Sequence, residues 1–240
     1  MLKTGAVSDS SRPRPIVAID GPAGAGKSTV ARLLADALGF VLVDTGALYR
    51  AVALSAKRAG VPFADGPKVG EVARAFVAKK ALEFHRDPGR GVSVVLDGED
   101  ISDAIRTAEI GMGASTVSAH PQVRDALLEM QRQAGSGGGV VLEGRDIGTV
   151  VFPDAEVKFF LTARPEVRAQ RRFAELAAKG APVTLAETIE DIRRRDQQDT
   201  TRAVAPLMPA RDAVLVDDSD MTIDETVATM AARVRSRGTQ

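Results

Sequence analysis

The stretch that decides the fold is Gly21-Pro22-Ala23-Gly24-Ala25-Gly26-Lys27-Ser28-Thr29. It fits the phosphate-binding pattern G-x-x-x-x-G-K-[ST]. Its glycines allow positive φ, so successive backbone N–H groups can point into one concavity that holds phosphate oxygens. In such loops the lysine places a positive charge at the β- and γ-phosphates, and the hydroxyl that follows it can bind Mg²⁺. Lys27 and Ser28 are the candidates for these two roles.

The sequence on either side of this loop supports the interpretation. Residues 15–20 form a short apolar run that is typical of a buried strand. After the loop, apolar side chains recur at helical spacing, at Val30, Leu33, Leu34, Ala37 and Leu38. A strand, a glycine turn and a helix in this order direct a helix N-terminus at an anion. We therefore predict that residues 21–29 hold a phosphate-bearing ligand.

The composition is that of an ordinary globular protein, and it argues against several kinds of site. Of 240 residues, 32 are Lys or Arg and 32 are Asp or Glu, so no net field favours nucleic acid or a membrane surface. The lack of cysteine excludes disulfides, thiol catalysis and cysteine-based zinc sites. No apolar run approaches the ~18 residues of a spanning helix, and residues 1–14 lack the apolar core of a secretory signal. We expect a cytoplasmic protein with a disordered tail at residues 1–14.

Further apolar runs are interpreted as strands that alternate with helices, at residues 40–43, 140–142, 157–161 and 214–216. This alternation predicts an α/β fold with a parallel sheet and helices on both faces. Ligands of such sheets bind beyond the carboxyl ends of the strands. Polar residues follow two of these ends, in Asp44-Thr45 and in Glu143-Gly144-Arg145-Asp146. Thr45 can cap the helix that follows, and for both Asp44 and Thr45 helix capping is the alternative to serving a ligand.

Residues 61–118 break the alternating pattern. A helical segment at 69–77 precedes two strand-like runs, 80–85 and 92–96, on either side of the turn 87–91. We interpret them as an antiparallel hairpin in an inserted subdomain. Two predicted helices follow, at 105–117 and 121–133, and they carry polar residues that can serve a ligand or stand on a solvated surface, namely Arg106, Ser115 and Arg124. The glycine-rich residues 135–139 are interpreted as a flexible connector.

Arginine dominates over lysine in the second half of the chain. From Arg145 to Arg211 there are ten arginines and two lysines. The planar guanidinium suits two-pronged binding of phosphate better than an ammonium does. The alternative is a helical surface on which the arginines pair with neighbouring carboxylates.

Four motifs together resemble the bacterial cytidylate kinase family: the phosphate loop, residues 44–50 (DTGALYR), residues 143–155 (EGRDIGTVVFPDA) and residues 202–207 (RAVAPL). The resemblance extends over about residues 16–234. It implies a nucleoside monophosphate kinase fold, with a five-stranded parallel core, a monophosphate-binding region enlarged by a small sheet, and a mobile lid. On this basis the kinase core is expected at 15–44, 120–163 and 183–240, the monophosphate-binding subdomain at 45–119, and the lid at 164–182.

The resemblance also implies roles for individual residues. Residues 21–29 would bind ATP, with Mg²⁺ near Ser28, although some relatives have glycine at that position. Thr45 and Arg50 would meet the phosphate of the acceptor nucleotide. The cytosine base would lie among Ser115, Arg124 and Asp146.

The remaining implied roles concern charge at the transferred phosphoryl group. Asp199 would bind the ribose, and the catalytic cations would be Lys27, Arg145, Arg195 and Arg202. A lid arginine is also expected to reach the phosphoryl group, with four candidates left open: Arg164, Arg168, Arg171 and Arg172.

The implied reaction moves the γ-phosphoryl group of ATP to CMP or dCMP, with ATP and Mg²⁺ as cofactors and a monomeric enzyme. Two alternatives stay open. Another phosphate-loop kinase, for uridylate or shikimate, would share the core but differ at the acceptor site formed by Ser115, Arg124 and Asp146. A regulatory ATPase would hydrolyse ATP without any dependence on an added nucleoside monophosphate.

Overall fold

The computed structural model describes residues 12–79, 82–87, 91–178 and 180–237. The strands are β1 (Ile16–Asp20), β2 (Val41–Asp44), β3 (Leu82–Asp87), β4 (Gly91–Leu96), β5 (Glu99–Asp100), β6 (Val140–Gly144), β7 (Val157–Thr162) and β8 (Val214–Asp217). The α-helices are α1 (Lys27–Leu38), α2 (Thr45–Arg58), α3 (Gly66–Ala78), α4 (Ala108–Val117), α5 (Pro121–Gly135), α6 (Pro165–Ala178), α7 (Leu185–Thr201) and α8 (Ile223–Arg237). A 3₁₀ turn covers Ala104–Arg106, and a π-helical turn covers Ile147–Val151.

Five strands form a parallel sheet in the order β2-β6-β1-β7-β8. The register places Ile19 of β1 between Glu143 of β6 and Phe159 of β7. The strand that leads into the phosphate loop therefore occupies the centre of the sheet. The carboxyl ends of β2 and β6 lie on one side of it, as the α/β prediction requires. The predicted fold class, with its five-stranded parallel core, is confirmed.

Both faces of the sheet are covered, as the central strand shows. Ile19 belongs to an apolar cluster with Leu34 of α1 and Met230 of α8. Ile16 belongs to a different cluster on the opposite face, together with Phe152. Because both faces of β1 are buried, its sequence is a continuous apolar run and not an alternating one.

A third apolar core lies among α2, α3, α4 and α5, and it includes Leu54, Phe76, Ile110 and Leu127. The small antiparallel sheet β3-β4-β5 adds Val94 to this core. The predicted antiparallel insert is thus confirmed, but its third strand was missed because two residues carry no periodic pattern. Residues 80–81 and 88–90, part of the predicted hairpin, lie outside the described residues.

The predicted helix 105–117 is divided in two. A 3₁₀ turn ends at Arg106, and α4 begins only after Thr107. The side chain of Thr107 accepts a hydrogen bond from the N–H of Ile110, at 3.3 Å. This hydroxyl caps the helix at a position that apolar periodicity alone cannot show.

The segment predicted as a flexible connector, residues 135–139, is tied into the structure. Gly135 is the last residue of α5, and the N–H of Gly139 donates to the carbonyl oxygens of Arg14 and Pro15. The described end of the predicted tail is anchored as well, because Arg12 pairs with Asp154 and with Glu156. Within the described ranges, no helix combines the length and the hydropathy that a membrane crossing requires.

We expect Gly135→Ala to lower the free energy of unfolding by about 1–3 kcal/mol, the usual cost of overpacking a core. A Cβ at this position would lie 2.5 Å from the ring of Phe152, which is 4% exposed. Gly111→Ala in the interior of α4 is the matched control, because its Cβ would meet nothing within 4 Å. Its better helix propensity should raise stability by up to about 1 kcal/mol. Urea denaturation measures both changes, and equal effects of the two substitutions would contradict the packing argument.

Candidate functional site

A cleft of about 400 Å³ opens at the carboxyl edge of the parallel sheet. The structure brings most of the predicted site residues into its lining, namely Ala23, Gly24, Ala25, Gly26, Lys27, Ser28, Thr29, Thr45, Arg50, Ser115, Arg124, Arg145, Asp146, Arg195, Asp199 and Arg202. Gly21 and Pro22 do not line the cleft. Gly21 instead packs under the loop, where an added Cβ would lie 2.0 Å from the carbonyl oxygen of Leu161.

The phosphate loop has the backbone that its sequence predicts. Gly24 and Gly26 have φ values of 74° and 76°, and α1 begins directly after Gly26. A Cβ on Gly26 would meet nothing within 4 Å, so this glycine is required for its conformation and not for space. The ammonium of Lys27 donates to the carbonyl oxygen of Pro22, at 2.7 Å, which holds the side chain across the mouth of the loop.

Two buried charges face each other beside the loop. Burial lowers the pKa of Lys27, and the nearby Arg145 lowers it further. Burial raises the pKa of Glu143, and Asp44 adds to this shift. Glu143 also contacts the hydroxyl of Ser28, and its Oε1 atom is buried without a hydrogen-bond partner. A free carboxylate oxygen next to a hydroxyl suits a hard cation such as Mg²⁺, which takes few protein ligands and completes its shell with phosphate oxygens and water.

Asp20 ties the centre of the sheet to the π-helical turn. Its carboxylate accepts hydrogen bonds from the N–H groups of Ile147 and Gly148, both at 2.8 Å. Burial raises the pKa of Asp20 to about 6, against the effect of these two hydrogen bonds. The contact positions the segment that begins with Arg145 and Asp146. Sequence reasoning missed this role of Asp20, because the two ends of the contact lie 127 residues apart.

Of the two roles predicted for Thr45, helix capping and ligand binding, the structure excludes helix capping. The helix is capped by Asp44, whose Oδ1 atom accepts from the N–H of Ala47 at 3.0 Å. Thr45 is therefore not the cap, and its hydroxyl donates to the carbonyl oxygen of Glu143 at 2.7 Å. Asp44 also holds Arg50, through Nη2, at 2.7 Å. The Nε atom of Arg50 is buried without a hydrogen-bond partner, which leaves a donor for an anion in the cleft.

A second group of side chains lies further along the cleft. Asp146 pairs with Arg124 and, at 3.6 Å, with Nη2 of Arg202. The guanidinium of Arg124 stands over the ring of Tyr49, 5.7 Å from its centroid. Burial raises the pKa of Asp146, although both arginines oppose this shift. These three charged residues are all less than 10% exposed.

Ser115 also belongs to this part of the cleft. Its hydroxyl donates to Oε1 of Gln198 on α7, at 3.1 Å. Sequence reasoning missed both Tyr49 and Gln198. Tyr49 stood within a quoted motif, but no local pattern pointed to Gln198.

Two further arginines lie beside the phosphate loop. Nε of Arg145 donates to Oδ2 of Asp199 at 2.8 Å. Burial opposes the charge on Arg145, but Asp199 more than compensates and raises the pKa. Burial lowers the pKa of Arg195, and the like charge of Arg145 lowers it further. The Nε atom of Arg195 is buried without a hydrogen-bond partner.

The four lid arginines have different surroundings. Arg164 pairs with Asp220 and Arg171 pairs with Asp218, so both contact carboxylates that are distant in sequence and not the neighbouring ones of the surface alternative. Arg168 is buried, and it joins the carbonyl oxygen of Ala23 in the phosphate loop to Asp196 of α7. Among these four, Arg172 is the one that lines the cleft, where it also pairs with Glu175. In the described part of the chain, no group of three or more His, Cys, Asp or Glu residues is arranged to hold a metal ion.

Comparisons with a family model and with known proteins all identify the same family. A family model described as cytidylate kinase matches residues 17–236. A cytidylate kinase of Geobacter sp. (strain M21) is 54% identical over 222 residues, which cover 92% of this chain and 93% of that protein. Cytidylate kinases of Pelotomaculum thermopropionicum and Pseudomonas paraeruginosa are 52% and 48% identical, and cover 92% and 93% of this chain and 96% of each relative. The matched region contains every residue of the cleft discussed above.

The raised pKa of Asp20 predicts a specific pH dependence of stability. The folded protein keeps a proton on Asp20 up to about pH 6, whereas the unfolded chain releases it near pH 4. The free energy of unfolding therefore falls as pH rises through this window. Relative to Asp20→Asn, which cannot titrate, the wild type should lose on the order of 3 kcal/mol between pH 4 and pH 7. Urea denaturation of both proteins without nucleotide measures the difference, and a constant difference would contradict the prediction.

Asp65→Asn is the matched control. Asp65 is only partly buried, and its hydrogen bond with Lys68 lowers its pKa. Its stabilising contribution is present above the unfolded pKa and is lost as pH falls through the lower folded value. Between pH 4 and pH 7 the difference between wild type and Asp65→Asn should therefore stay constant, and it should change in the opposite direction to that of Asp20→Asn only below about pH 4.

Proposed function

The chain belongs to the cytidylate kinase family, and we propose that its cleft transfers the γ-phosphoryl group of ATP to CMP or dCMP, releasing ADP and CDP or dCDP. The observation that carries this proposal is the arrangement of the cleft. A phosphate loop, a row of arginines and a polar cluster suited to a cytosine edge lie along one continuous surface. Donor and acceptor can therefore bind end to end, as an in-line displacement requires.

The reaction brings two polyanions together, so its main requirement is positive charge in fixed positions. Lys27 would contact the β- and γ-phosphates from the loop. Arg145 and Arg195 would surround the transferred group from the opposite side. Arg202 would reach this group from the acceptor half of the cleft, where it would also contact CMP. Arg172 is the lid arginine that we propose for the same group, since it lines the cleft while the other three hold contacts elsewhere. No general base is needed, because the attacking phosphate of CMP is already an oxyanion.

The residues of the loop fit ATP and Mg²⁺. Gly24 and Gly26 supply the positive φ that turns N–H groups toward phosphate, and α1 adds its N-terminus. Ser28 and the free oxygen of Glu143 are the atoms that would hold Mg²⁺, directly or through water. When bound, Mg²⁺ neutralises developing charge on the phosphate oxygens. Glu143 was not among the metal candidates from the sequence.

The acceptor is proposed to bind between α2 and α7. Arg50, with its unpartnered Nε atom, and Thr45 would meet the phosphate of CMP. Asp199 would bind the ribose. The base would lie against Asp146, Arg124 and Ser115, with the carboxylate accepting from the 4-amino group and the guanidinium donating to N3 or O2.

Closure of the cleft is part of this proposal. Residues 45–119 and the lid, residues 164–182, would move against the core and exclude water, which otherwise would make the enzyme hydrolyse ATP. Residues 45–119 share an apolar core with α5, which includes Phe76 and Leu127, so α5 would move with them. Toward α7, on the other side of the cleft, the described polar contacts include those of Ser115 with Gln198 and of Met112 with Arg194. The expected monomeric state and cytoplasmic location stay predictions.

A panel of acceptors with ATP and Mg²⁺ tests the proposed reaction. CMP and dCMP should drive ATP consumption, while UMP and shikimate should not. Consumption that is the same with and without an acceptor would identify an ATPase instead. Preference for UMP or shikimate would identify one of the other phosphate-loop kinases.

Lys27→Ala should reduce transfer to CMP by on the order of 10²-fold or more, because it removes a preorganised charge from the transition state. The fold should persist, since the ammonium bonds the adjacent carbonyl oxygen of Pro22 and packs in no apolar cluster. Steady-state kinetics and a urea midpoint measure the two effects. Near-normal turnover would rule out the proposed role of the phosphate loop.

CMP should be preferred over UMP by on the order of 10²–10⁴ in kcat/KM, because uracil reverses two hydrogen-bonding positions in a buried site. A uracil carbonyl would face the carboxylate of Asp146, and a uracil N–H would face Arg124. Asp146→Asn should narrow this preference, since an amide can donate to the carbonyl. The measurement is kcat/KM for both nucleotides in wild type and variant.

Asp199→Asn serves as the matched control for Asp146→Asn. It also removes a buried carboxylate that pairs with an arginine, but it would face the ribose that both nucleotides share. It should lower kcat/KM for CMP and for UMP by the same factor, so that the ratio of the two values stays unchanged. An unchanged ratio in Asp146→Asn would mean that Asp146 does not read the base.

A further inference from the structure

A loop beside the cleft adopts a conformation that its sequence disfavours. Ala205, which follows α7, has a φ of 48°. For alanine this left-handed region brings Cβ close to the next carbonyl oxygen. The residue that follows is Pro206, which restricts residue 205 to extended conformations still further. Such a backbone persists only where surrounding contacts hold it, and it is often found next to functional sites.

The conformation directs one carbonyl group at a cleft residue. The oxygen of Ala205 accepts a hydrogen bond from Nε of Arg202, at 2.7 Å. The loop then returns to α7, because the N–H of Leu207 donates to the carbonyl oxygen of Asp199 at 2.8 Å. The side chain of Leu207 is buried and anchors this return. The left-handed turn thus closes the loop and fixes the carbonyl of Ala205 against the guanidinium.

Arg202 needs such a contact. Its side chain is 4% exposed, and burial together with the like charge of Arg124 lowers its pKa. Asp146 bonds closely to Arg124 and lies 3.6 Å from Nη2 of Arg202, beyond hydrogen-bond distance. The hydroxyl of Ser118 accepts from Nη1 at 3.5 Å. The Ala205 carbonyl is therefore the shortest hydrogen bond that Arg202 makes in the described structure, and it leaves Nη2 without one.

We propose that Ala205 is a positioning residue for the acceptor half of the cleft: its left-handed backbone presents the carbonyl that fixes Arg202 and leaves Nη2 free for CMP. This inference rests on the proposed function, in which Arg202 contacts the substrate. The side chain of Ala205 takes no part. What matters is that residue 205 can hold a positive φ.

Two substitutions of Ala205 separate backbone from side-chain effects. Ala205→Val adds a β-branched side chain that resists the left-handed region, whereas asparagine enters it readily. Ala205→Val should lower kcat/KM for CMP by on the order of 10- to 100-fold, chiefly through KM, as expected when a substrate-positioning group is displaced. Its KM for ATP should stay within about twofold, because the phosphate loop is untouched. Ala205→Asn should stay within about threefold of wild type, because it tolerates positive φ.

The exposed neighbour Ala203 gives the matched control, since Ala203→Val makes the same chemical change and should leave the kinetics unchanged. A urea midpoint checks that each variant is folded. Ala205→Leu replaces the valine variant if that one does not fold. Equal losses in Ala205→Val and Ala205→Asn would overturn the proposal, because they would show a side-chain effect.

A double-mutant cycle with Arg202→Met identifies the route of the effect. If Ala205 acts through Arg202, the valine substitution causes no further loss of CMP use in the Arg202→Met background. If the two losses multiply, the positioning proposal is overturned. Failure of the proposed function looks different: CMP would then not drive ATP consumption in the wild type. Unchanged CMP kinetics in Arg202→Met alone would overturn the positioning proposal and leave the function intact. A loss in Arg202→Met with none in Ala205→Val would reject the positioning role and retain the function.

Discussion

The architecture of the cleft depends on one constraint, the need to hold several cations close together in a buried site. Arg124 and Arg202 share Asp146, and Arg145 is held by Asp199. Removing one partner from such a pair leaves an uncompensated buried charge, so the carboxylates keep the cations in place before a substrate arrives. Donors that are already fixed need no reorganisation as charge develops during transfer. The carboxylates therefore hold the arginines of the site in position, although the proposed ligand is itself a polyanion.

The parallel sheet brings this arrangement to one edge. β2, β6 and β1 end side by side, so Asp44, Glu143 and Asp20 lie at the carboxyl ends of neighbouring strands. Each carboxylate has a different task there: Asp44 caps α2, Asp20 holds the π-helical turn, and Glu143 faces Lys27. The three carboxylates at these strand ends thus have different roles, because each one contacts a different neighbouring element. In the proposed function, residues of α2, α4 and α7 form the part of the cleft that binds the acceptor nucleotide.

Local patterns were enough to predict the phosphate loop and the strand ends, because each depends on residues close in sequence. Local patterns also named Arg124 and Asp146 as candidates, and the family resemblance supplied their role at the base; the structure places the two together. What could not be predicted depends on distant partners or on backbone geometry. Gln198 meets Ser115 across 83 residues, and the left-handed backbone of Ala205 has no signature in an alanine before a proline. The choice between Asp44 and Thr45 as helix cap was open for a different reason, since adjacent residues of both types can cap.

The contact of Arg168 with the phosphate loop has a consequence for product release. This arginine belongs to α6, yet it donates to the carbonyl oxygen of Ala23 at 2.9 Å and pairs with Asp196 at 2.7 Å. If α6 moves with the lid, as the proposed function requires, its rotation away from the core would break the bond to Ala23 and remove an anchor from the proposed nucleotide-binding loop. Opening of the lid and loosening of the loop around the spent nucleotide would then be coupled.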